Sequence, residues 1–128
     1  MRLLIDTHFV IYLADDRLEQ SSRTHRDIIL HETSNVFVSV ASLWEVAIKT
    51  RIGKLALGNP IGDWPEILEN ASVKILPVVQ SHVLHHIGPE PETKDPFDRL
   101  LLGVCAAEGM KLLTVDRDLI NHPLAWRS

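Results

Sequence analysis

The opening stretch Leu3-Leu4-Ile5-Asp6-Thr7-His8 sets a pattern that the rest of the chain follows. Three apolar residues form a short predicted strand that stops at a carboxylate, and apolar residues then recur with helical spacing from Thr7 onward. A similar segment, Leu112-Leu113-Thr114-Val115-Asp116, lies near the other end of the chain. Each segment predicts a buried strand that delivers an aspartate at its carboxyl end.

Predicted strands and helices alternate between these two segments. Further strands are predicted over residues 36–40 and 73–76, with a short last strand over 124–126. Helices are predicted from Thr7, after Ser21 and Ser22, from Ser42 to Gly53, over 64–70, over 81–87 and from Pro96 to Gly109. Because several strands are apolar throughout, the sequence predicts an α/β fold with a mostly parallel central sheet flanked by helices.

The bulk composition predicts one ordinary globular domain. The 128 residues suit a single domain, residues 1–128, that can bury its own core. Cys105 is the only cysteine, so no internal disulfide can form, which favours a reducing compartment. An acid after three apolar residues is unlike a signal peptide, and no apolar run reaches the roughly 18 residues of a membrane span. We therefore expect a cytoplasmic protein.

Two further acids lie on apolar faces of predicted helices. On helical spacing, Glu45 shares a face with the apolar residues at 41, 48 and 52, and Asp98 shares one with those at 101, 102 and 105. A carboxylate on a face turned to the core is costly unless it is paired, protonated or bound to a metal. These two positions therefore call for an explanation.

Each of the four acids also has an ordinary structural explanation. The two strand-end aspartates could be helix N-caps or turn residues. Glu45 could form an ion pair with Lys49 one turn on, and Asp98 could be a first-turn acid beside a capping Asp95. Any one of these explanations is plausible alone, but four together in one fold are less so.

The alternative is that the four carboxylates converge on one site. In an open α/β sheet, ligands bind beyond the carboxyl ends of the strands, where both strand-end aspartates point. Carboxylates about 5 Å apart repel by about 3 kcal/mol per pair at an effective dielectric of about 20, so a cation or protons must compensate. Oxygen ligands suit Mg²⁺ or Mn²⁺, which can lower the pKa of bound water and stabilise the charge of phosphodiester cleavage. The formal net charge of −4 is weak evidence against nucleic acid, because four site acids account for the excess of 17 acidic over 13 basic residues.

Four segments of the chain resemble the successive motifs of PIN domains, most closely those of the VapC-like toxins of type II toxin–antitoxin modules. In order, they are Leu3-Leu4-Ile5-Asp6-Thr7-His8, Ser42-Leu43-Trp44-Glu45-Val46-Ala47-Ile48-Lys49, Asp95-Pro96-Phe97-Asp98-Arg99-Leu100-Leu101 and Leu113-Thr114-Val115-Asp116. Their order, their spacing and the length of the chain all fit. The resemblance implies a three-layer fold with a sheet of four to five strands, an endoribonuclease activity and an acidic site for Mg²⁺ or Mn²⁺.

The resemblance also implies roles for individual residues. The acidic quartet expected to hold the metal and to catalyse is Asp6, Glu45, Asp98 and Asp116. Asp6 and Asp98 are the expected direct ligands, and the other two act directly or through water. Thr114 matches a small hydroxyl residue that supports the site, and Asp95 ranks below Asp98. Cys105 is expected to pack in the core rather than to act as a nucleophile.

Other polar and aromatic residues have weaker claims. The basic run Lys49, Arg51 and Lys54, together with Arg99 and Arg117, is either solvated surface charge or contacts RNA phosphates at the cleft rim, and the second interpretation is favoured for Arg99 and Arg117. His82, His85 and His86 are interpreted as surface or packing residues, because no cysteine or acid completes a metal set. Trp44 is expected in the core, whereas Trp64 and Trp126 could stack on RNA bases or serve a protein interface.

Two alternative functions were compared with the sequence, and the resemblance also predicts partners. A receiver-type phosphoacceptor domain would need an aspartate after the third strand, where Leu76-Pro77-Val78 stands. A non-catalytic PIN-like binding module would lack part of the acidic quartet. By resemblance we expect a small antitoxin partner and a homodimer. An antitoxin arginine could bridge two carboxylates of the cleft, and an exposed Trp64 could anchor the complex.

Overall fold

The structure is a computed structural model that describes all 128 residues. The strands are β1 (Arg2–Ile5), β2 (Asn35–Ser39), β3 (Lys74–Leu76) and β4 (Lys111–Leu113). The helices are α1 (Thr7–Ala14), α2 (Arg23–Leu30), α3 (Val40–Arg51), α4 (Trp64–Asn70), α5 (Gln80–Leu84) and α6 (Pro96–Glu108), with 3₁₀ turns at Leu18–Gln20 and Ile61–Asp63.

The four strands form one sheet in the order β3-β2-β1-β4, and every pairing is parallel. Leu4 pairs with Phe37 of β2 on one side and with Leu112 of β4 on the other. The expected last strand over 124–126 is reduced to a single parallel bridge between Leu112 and Ala125. Because the strands are parallel, their carboxyl ends lie at one edge of the sheet.

Alternate residues of the central strands bury against different helices, which gives three layers. On one face, Ile5, Val38 and Leu113 pack with the apolar side chains of α1, α2 and α4. On the other face, Leu4 and Leu112 pack with α6. This alternation follows from the two-residue period of a strand, and it confirms the predicted α/β class with helices on both faces. None of the helices combines the length and the apolar character that crossing a membrane requires.

The helix boundaries follow local capping chemistry. Ser22 caps α2 by accepting from His25 N, and Gly109 ends α6 in the left-handed region at φ 70°, as predicted. The prediction for the start of α3 was wrong. The helix begins at Val40, because the Ser39 side chain accepts from Ala41 N at 3.1 Å and so caps it three residues earlier than Ser42 would.

The predictions for two tryptophans were also wrong. Trp64 is fully buried, and its Nε1 donates to the Asn59 carbonyl at 3.1 Å, so it cannot anchor a partner. Trp44 is 61% exposed on the outer face of α3, where it meets the Phe97 ring edge-on at a centroid distance of 5.5 Å. Both residues occupy apolar helical positions, and only the packing of neighbouring elements determines which of them is covered.

Candidate active site

A cleft of about 390 Å³ opens at the carboxyl edge of the sheet. Its lining consists of Asp6, Thr7, His8, Ile11, Glu45, Lys49, Lys54, Leu55, Asp95, Asp98, Val115 and Asp116. The strand-end acids come from β1 and from the segment after β4, and the other acids come from α3 and from the start of α6. All four members of the predicted quartet, together with Asp95, therefore line one cavity.

Asp6 lies where β1 passes directly into α1. Its Oδ1 accepts from Phe9 N at 3.3 Å, so it is also the N-cap of the helix, and only 6% of the residue is exposed. Burial raises the pKa of the Asp6 carboxyl above its ordinary value, against the opposing effects of the Thr114 hydroxyl and the Phe9 N–H. The fold thus holds this carboxyl in a desolvated position.

Glu45 is buried on α3, and both of its carboxylate oxygens are engaged. Thr7 Oγ1 donates to Oε1 at 2.6 Å, and Lys49 Nζ donates to Oε2 at 2.6 Å. The Ser42 hydroxyl lies 3.1 Å from that of Thr7 and extends the network. The hydrogen bond to Glu45 raises the pKa of Lys49. Because each oxygen has a close partner, the orientation of this carboxylate is fixed.

Asp98 and Asp95 lie at the start of α6. Asp95 is the N-cap and accepts from Phe97 N at 2.8 Å, while Asp98 Oδ2 accepts from Thr93 Oγ1 at 3.1 Å. The pKa of Asp98 is raised to about 6, first by burial and then by the negative charge of Asp95, with Asp116 and Glu45 adding to the effect. The influence of three other acids on one carboxyl is the electrostatic sign that these charges share a site.

Asp116 is the most open of the four acids. It follows β4 in an exposed turn, and its Oδ1 accepts from Asp118 N at 2.8 Å. The buried Thr114 accepts from Asp116 N at 3.0 Å through its hydroxyl, which ties the turn to the end of the strand. The structural explanations weighed for the four acids are thus present, as caps, a turn and an ion pair, and the same side chains still line the cleft.

Several other candidate residues lie away from the cleft. Arg99 forms an ion pair with Glu90 and lines a different pocket beside α5, and Arg117 is exposed after Asp116 without lining the cleft. His85 is exposed beside that second pocket and His86 is exposed as well.

Two buried residues near α6 are structural. His82 is buried with its Nε2 at 2.6 Å from Glu108 Oε2, so it does have an acidic neighbour, which the sequence did not reveal. Burial raises the pKa of Cys105 to about 12, so it remains a thiol within the core, as expected.

The hydroxyl groups that orient the acids were not predicted from the sequence. Thr7, Ser42 and Thr93 were not predicted as site residues, and the cleft lining also includes His8 and Lys54. A usable signal existed, since each hydroxyl lies close in sequence to a site acid: Thr7 follows Asp6, and Ser42 precedes Glu45 by one helical turn.

The sequence matches the PIN domain family over residues 3–123. The chain belongs to the PIN domain family. PIN domains are generally nucleases, and these nucleases generally use divalent metal ions. The family membership and the strand order, which is not the 2-1-3-4-5 order of receiver-type folds, exclude the receiver interpretation.

This PIN domain shares its fold with a solved structure. The crystal structure of VapBC2 from Rickettsia felis, bound to a DNA fragment from their promoter, contains a chain that superposes with a TM-score of 0.63. The two sequences are 14% identical, and the match covers 98% of this chain and 96% of the other. A comparison with curated proteins finds no match.

The donor chemistry of this PIN domain suits a hard divalent cation. The cleft offers carboxylate oxygens, and burial and mutual repulsion raise the pKa of Asp98, a charge problem that a cation would relieve. No group of three or more His, Cys, Asp or Glu side chains is arranged so that it could hold one ion. Direct ligation by two carboxylates with water in the remaining positions is compatible with that arrangement, and Mg²⁺ commonly binds in this way.

Proposed function

We propose that this PIN domain is a Mg²⁺- or Mn²⁺-dependent endoribonuclease that hydrolyses RNA phosphodiester bonds in the carboxylate-lined cleft. The observation that carries the proposal is that Asp6, Glu45, Asp98 and Asp116, far apart in sequence, line one cavity of a chain that belongs to a family of nucleases. A non-catalytic PIN-like module is the second candidate, and the retained quartet argues against it.

Each side chain has a defined part in the proposed reaction. Asp6 and Asp98 would hold the divalent ion, because both carboxyls are partly desolvated and both line the cleft. Asp116 is exposed at the cleft and would help to hold the ion directly or through water. When bound, the ion would supply Lewis-acid stabilisation of the phosphoryl charge and would lower the pKa of water.

Glu45 and its neighbours position the rest of the site. With its two oxygens bonded to Thr7 and Lys49, Glu45 acts through water and holds the ammonium group of Lys49 in the cleft. Thr114 fixes the Asp116 turn, and Asp95 adds negative charge beside Asp98 while capping α6. Lys49 lines the cleft and is therefore better placed to meet RNA phosphates than Arg99 or Arg117.

The activity is tested with purified protein and defined single-stranded RNA. Wild type should cut internally with Mg²⁺ or Mn²⁺, and EDTA should abolish cutting. The Asp6→Asn/Asp98→Asn double variant should lose at least 100-fold in rate, as expected when oriented metal ligands are lost. Asp27→Asn, an exposed change on α2, is the matched control and should retain full activity. Full activity of the double variant would exclude this site.

We further propose that the protein is a cytoplasmic toxin that a small antitoxin holds inactive, and that it forms a homodimer. The support is the motif resemblance together with the shared fold of a chain in VapBC2. An arginine from the antitoxin could bridge two carboxylates of the cleft. Expression with and without the adjacent gene tests this role. Normal growth without that gene, combined with activity of the purified protein on cellular RNA, would favour a housekeeping nuclease.

A further inference from the structure

The cleft contains cationic side chains as well as acidic ones, and they come from one short segment. Lys49 is in the last turns of α3, and Lys54 follows the helix by three residues. Gly53 adopts φ 78°, a left-handed conformation that turns the chain back, so that Lys54 N donates to the Lys49 carbonyl at 2.9 Å. This turn places both lysines in the lining of the cleft.

The two lysines differ in how their charge is used. Lys49 is held by Glu45 at 2.6 Å, whereas Lys54 is exposed and forms none of the ion pairs of the structure. An exposed ammonium group facing an acidic cleft without a fixed partner is available to an anion. Lysine is a compact, mobile point charge, well suited to bind a phosphate without reading a base.

The balance of charge in the cleft indicates which anion this is. Five carboxylates line the cavity. When an RNA chain places its scissile phosphate there, the same carboxylates repel the phosphates on either side of it. A cleft of about 390 Å³ is large enough for more than one phosphate group. A cation in the lining that is not paired with an acid can hold the neighbouring phosphate and so offset that repulsion.

We propose that Lys54, assisted by Lys49, binds a non-scissile phosphate of the RNA backbone next to the cleaved bond. This inference rests on the proposed ribonuclease function and extends it to the substrate: the cleft accepts a chain with at least two consecutive phosphates and contacts it independently of sequence. The purely structural explanation is that the basic residues stabilise the C-terminal end of α3. On that explanation, neutralising a flanking phosphate of the RNA should change kcat/KM equally for wild type and for Lys54→Ala.

The test uses a short single-stranded RNA that wild type cuts at a mapped bond. Each flanking phosphate is replaced in turn by an uncharged methylphosphonate, and kcat/KM is measured for wild type, Lys54→Ala and Lys54→Arg. One replacement should cost wild type about tenfold, the scale of one charged hydrogen bond, and should cost Lys54→Ala nothing. Lys54→Arg keeps the charge and should behave like wild type. Arg51→Ala, exposed at the same helix end but outside the cleft lining, is the control.

A binding measurement separates failure of this inference from failure of the proposed function. Anisotropy of a labelled 12-nucleotide RNA on Asp98→Asn protein should show a salt dependence whose slope falls by about one when Lys54→Ala is added. If no RNA is cut but this slope change is found, the nuclease proposal fails and the phosphate site stands. If every methylphosphonate affects wild type and Lys54→Ala equally, or if Lys54→Ala weakens only a protein complex with the product of the adjacent gene, the inference is overturned.

Discussion

At the scale of single residues, Glu45 shows how a buried carboxylate is maintained. Its two oxygens have two different donors, the Thr7 hydroxyl and the Lys49 ammonium group, each at 2.6 Å. Removing one partner leaves a desolvated oxygen without a hydrogen bond, and that loss costs more than the hydrogen bond alone contributes. The small hydroxyl of Thr7 is therefore expected to influence both stability and catalysis.

We predict that Thr7→Val lowers the free energy of unfolding by about 1–2 kcal/mol and the cleavage rate by about tenfold, because Glu45 Oε1 loses its donor. The measurements are chemical denaturation and kcat with Mg²⁺. Thr50→Val is the matched control: the Thr50 hydroxyl is buried without any hydrogen-bond partner, so its removal should be neutral or stabilising. Equal effects of the two variants would disprove the role given to Thr7.

Asp98 carries a pH dependence that can be measured in EDTA. Its pKa is raised from 3.8 unfolded to about 6 folded, so the folded state binds the proton more tightly. Stability from this group is therefore present at low pH and is lost as the pH rises from about 4 to 6. We predict that Asp98→Asn is more stable than wild type by about 1 kcal/mol at pH 7.5, a value reduced for solvent screening, and gains less at pH 5.

The control for this prediction is Asp27→Asn, which is exposed on α2 and should match wild type at both pH values. Lower stability of Asp98→Asn at pH 7.5 would show that its hydrogen bond with Thr93 outweighs the repulsion from neighbouring acids.

At the scale of secondary-structure elements, α5 and α6 approach so closely that a side chain between them is excluded. A Cβ added at Gly103 would lie 2.1 Å from the His82 carbonyl oxygen, which is backbone and cannot turn aside. We predict that Gly103→Ala destabilises the protein by about 2–3 kcal/mol through overpacking. Gly62→Ala, where nothing lies within 4 Å, should change thermal unfolding little. Similar melting temperatures for both variants would mean that α5 moves freely.

Local chemistry explains which elements the sequence could predict. Ser22 caps the start of α2, Pro65 lies in the first turn of α4, and Gly109 ends α6; the predictions for these three helices are confirmed. Either Ser39 or Ser42 could have capped the start of α3. Ser39 is the cap, and the Ser42 hydroxyl contacts Thr7 instead. The contact with Thr7 is distant in sequence, so the spacing of residues could not predict it.

Burial of individual side chains was harder to predict for the same reason. Two of the motif carboxylates follow parallel strands, and the other two lie on helices that border the same edge of the sheet. Because parallel strands end at one edge, the convergence of the four acids could be inferred. Whether Trp44 or Trp64 is covered depends on which elements pack over them, and whether Arg99 meets the cleft depends on the competing carboxylate of Glu90. These features depend on tertiary contacts, which leave no periodic pattern in the sequence.

At the scale of the whole molecule, four separate segments must hold their positions if the cleft is to bind the proposed ion. We predict that Mg²⁺ or Mn²⁺ raises the melting temperature of wild type and that EDTA reverses the shift, because an ion bound only by the folded state stabilises it. Asp6→Asn should abolish the shift, whereas Asp27→Asn should preserve it. A shift of equal size in Asp6→Asn would place the ion elsewhere.

The strand order has a consequence for how the protein is made. β1 lies between β2 and β4, and Leu3 pairs with Lys111, so the centre of the sheet is completed only by closing a loop of about a hundred residues. A growing chain that has emerged only through α3 already carries Asp6 and Glu45 but has neither α6 nor the turn after β4. Under the proposed function, a ribosome that synthesises this ribonuclease meets no finished cleft until synthesis has passed Asp116. If that function holds, late completion of the sheet would delay the nuclease activity until most of the chain has been synthesised.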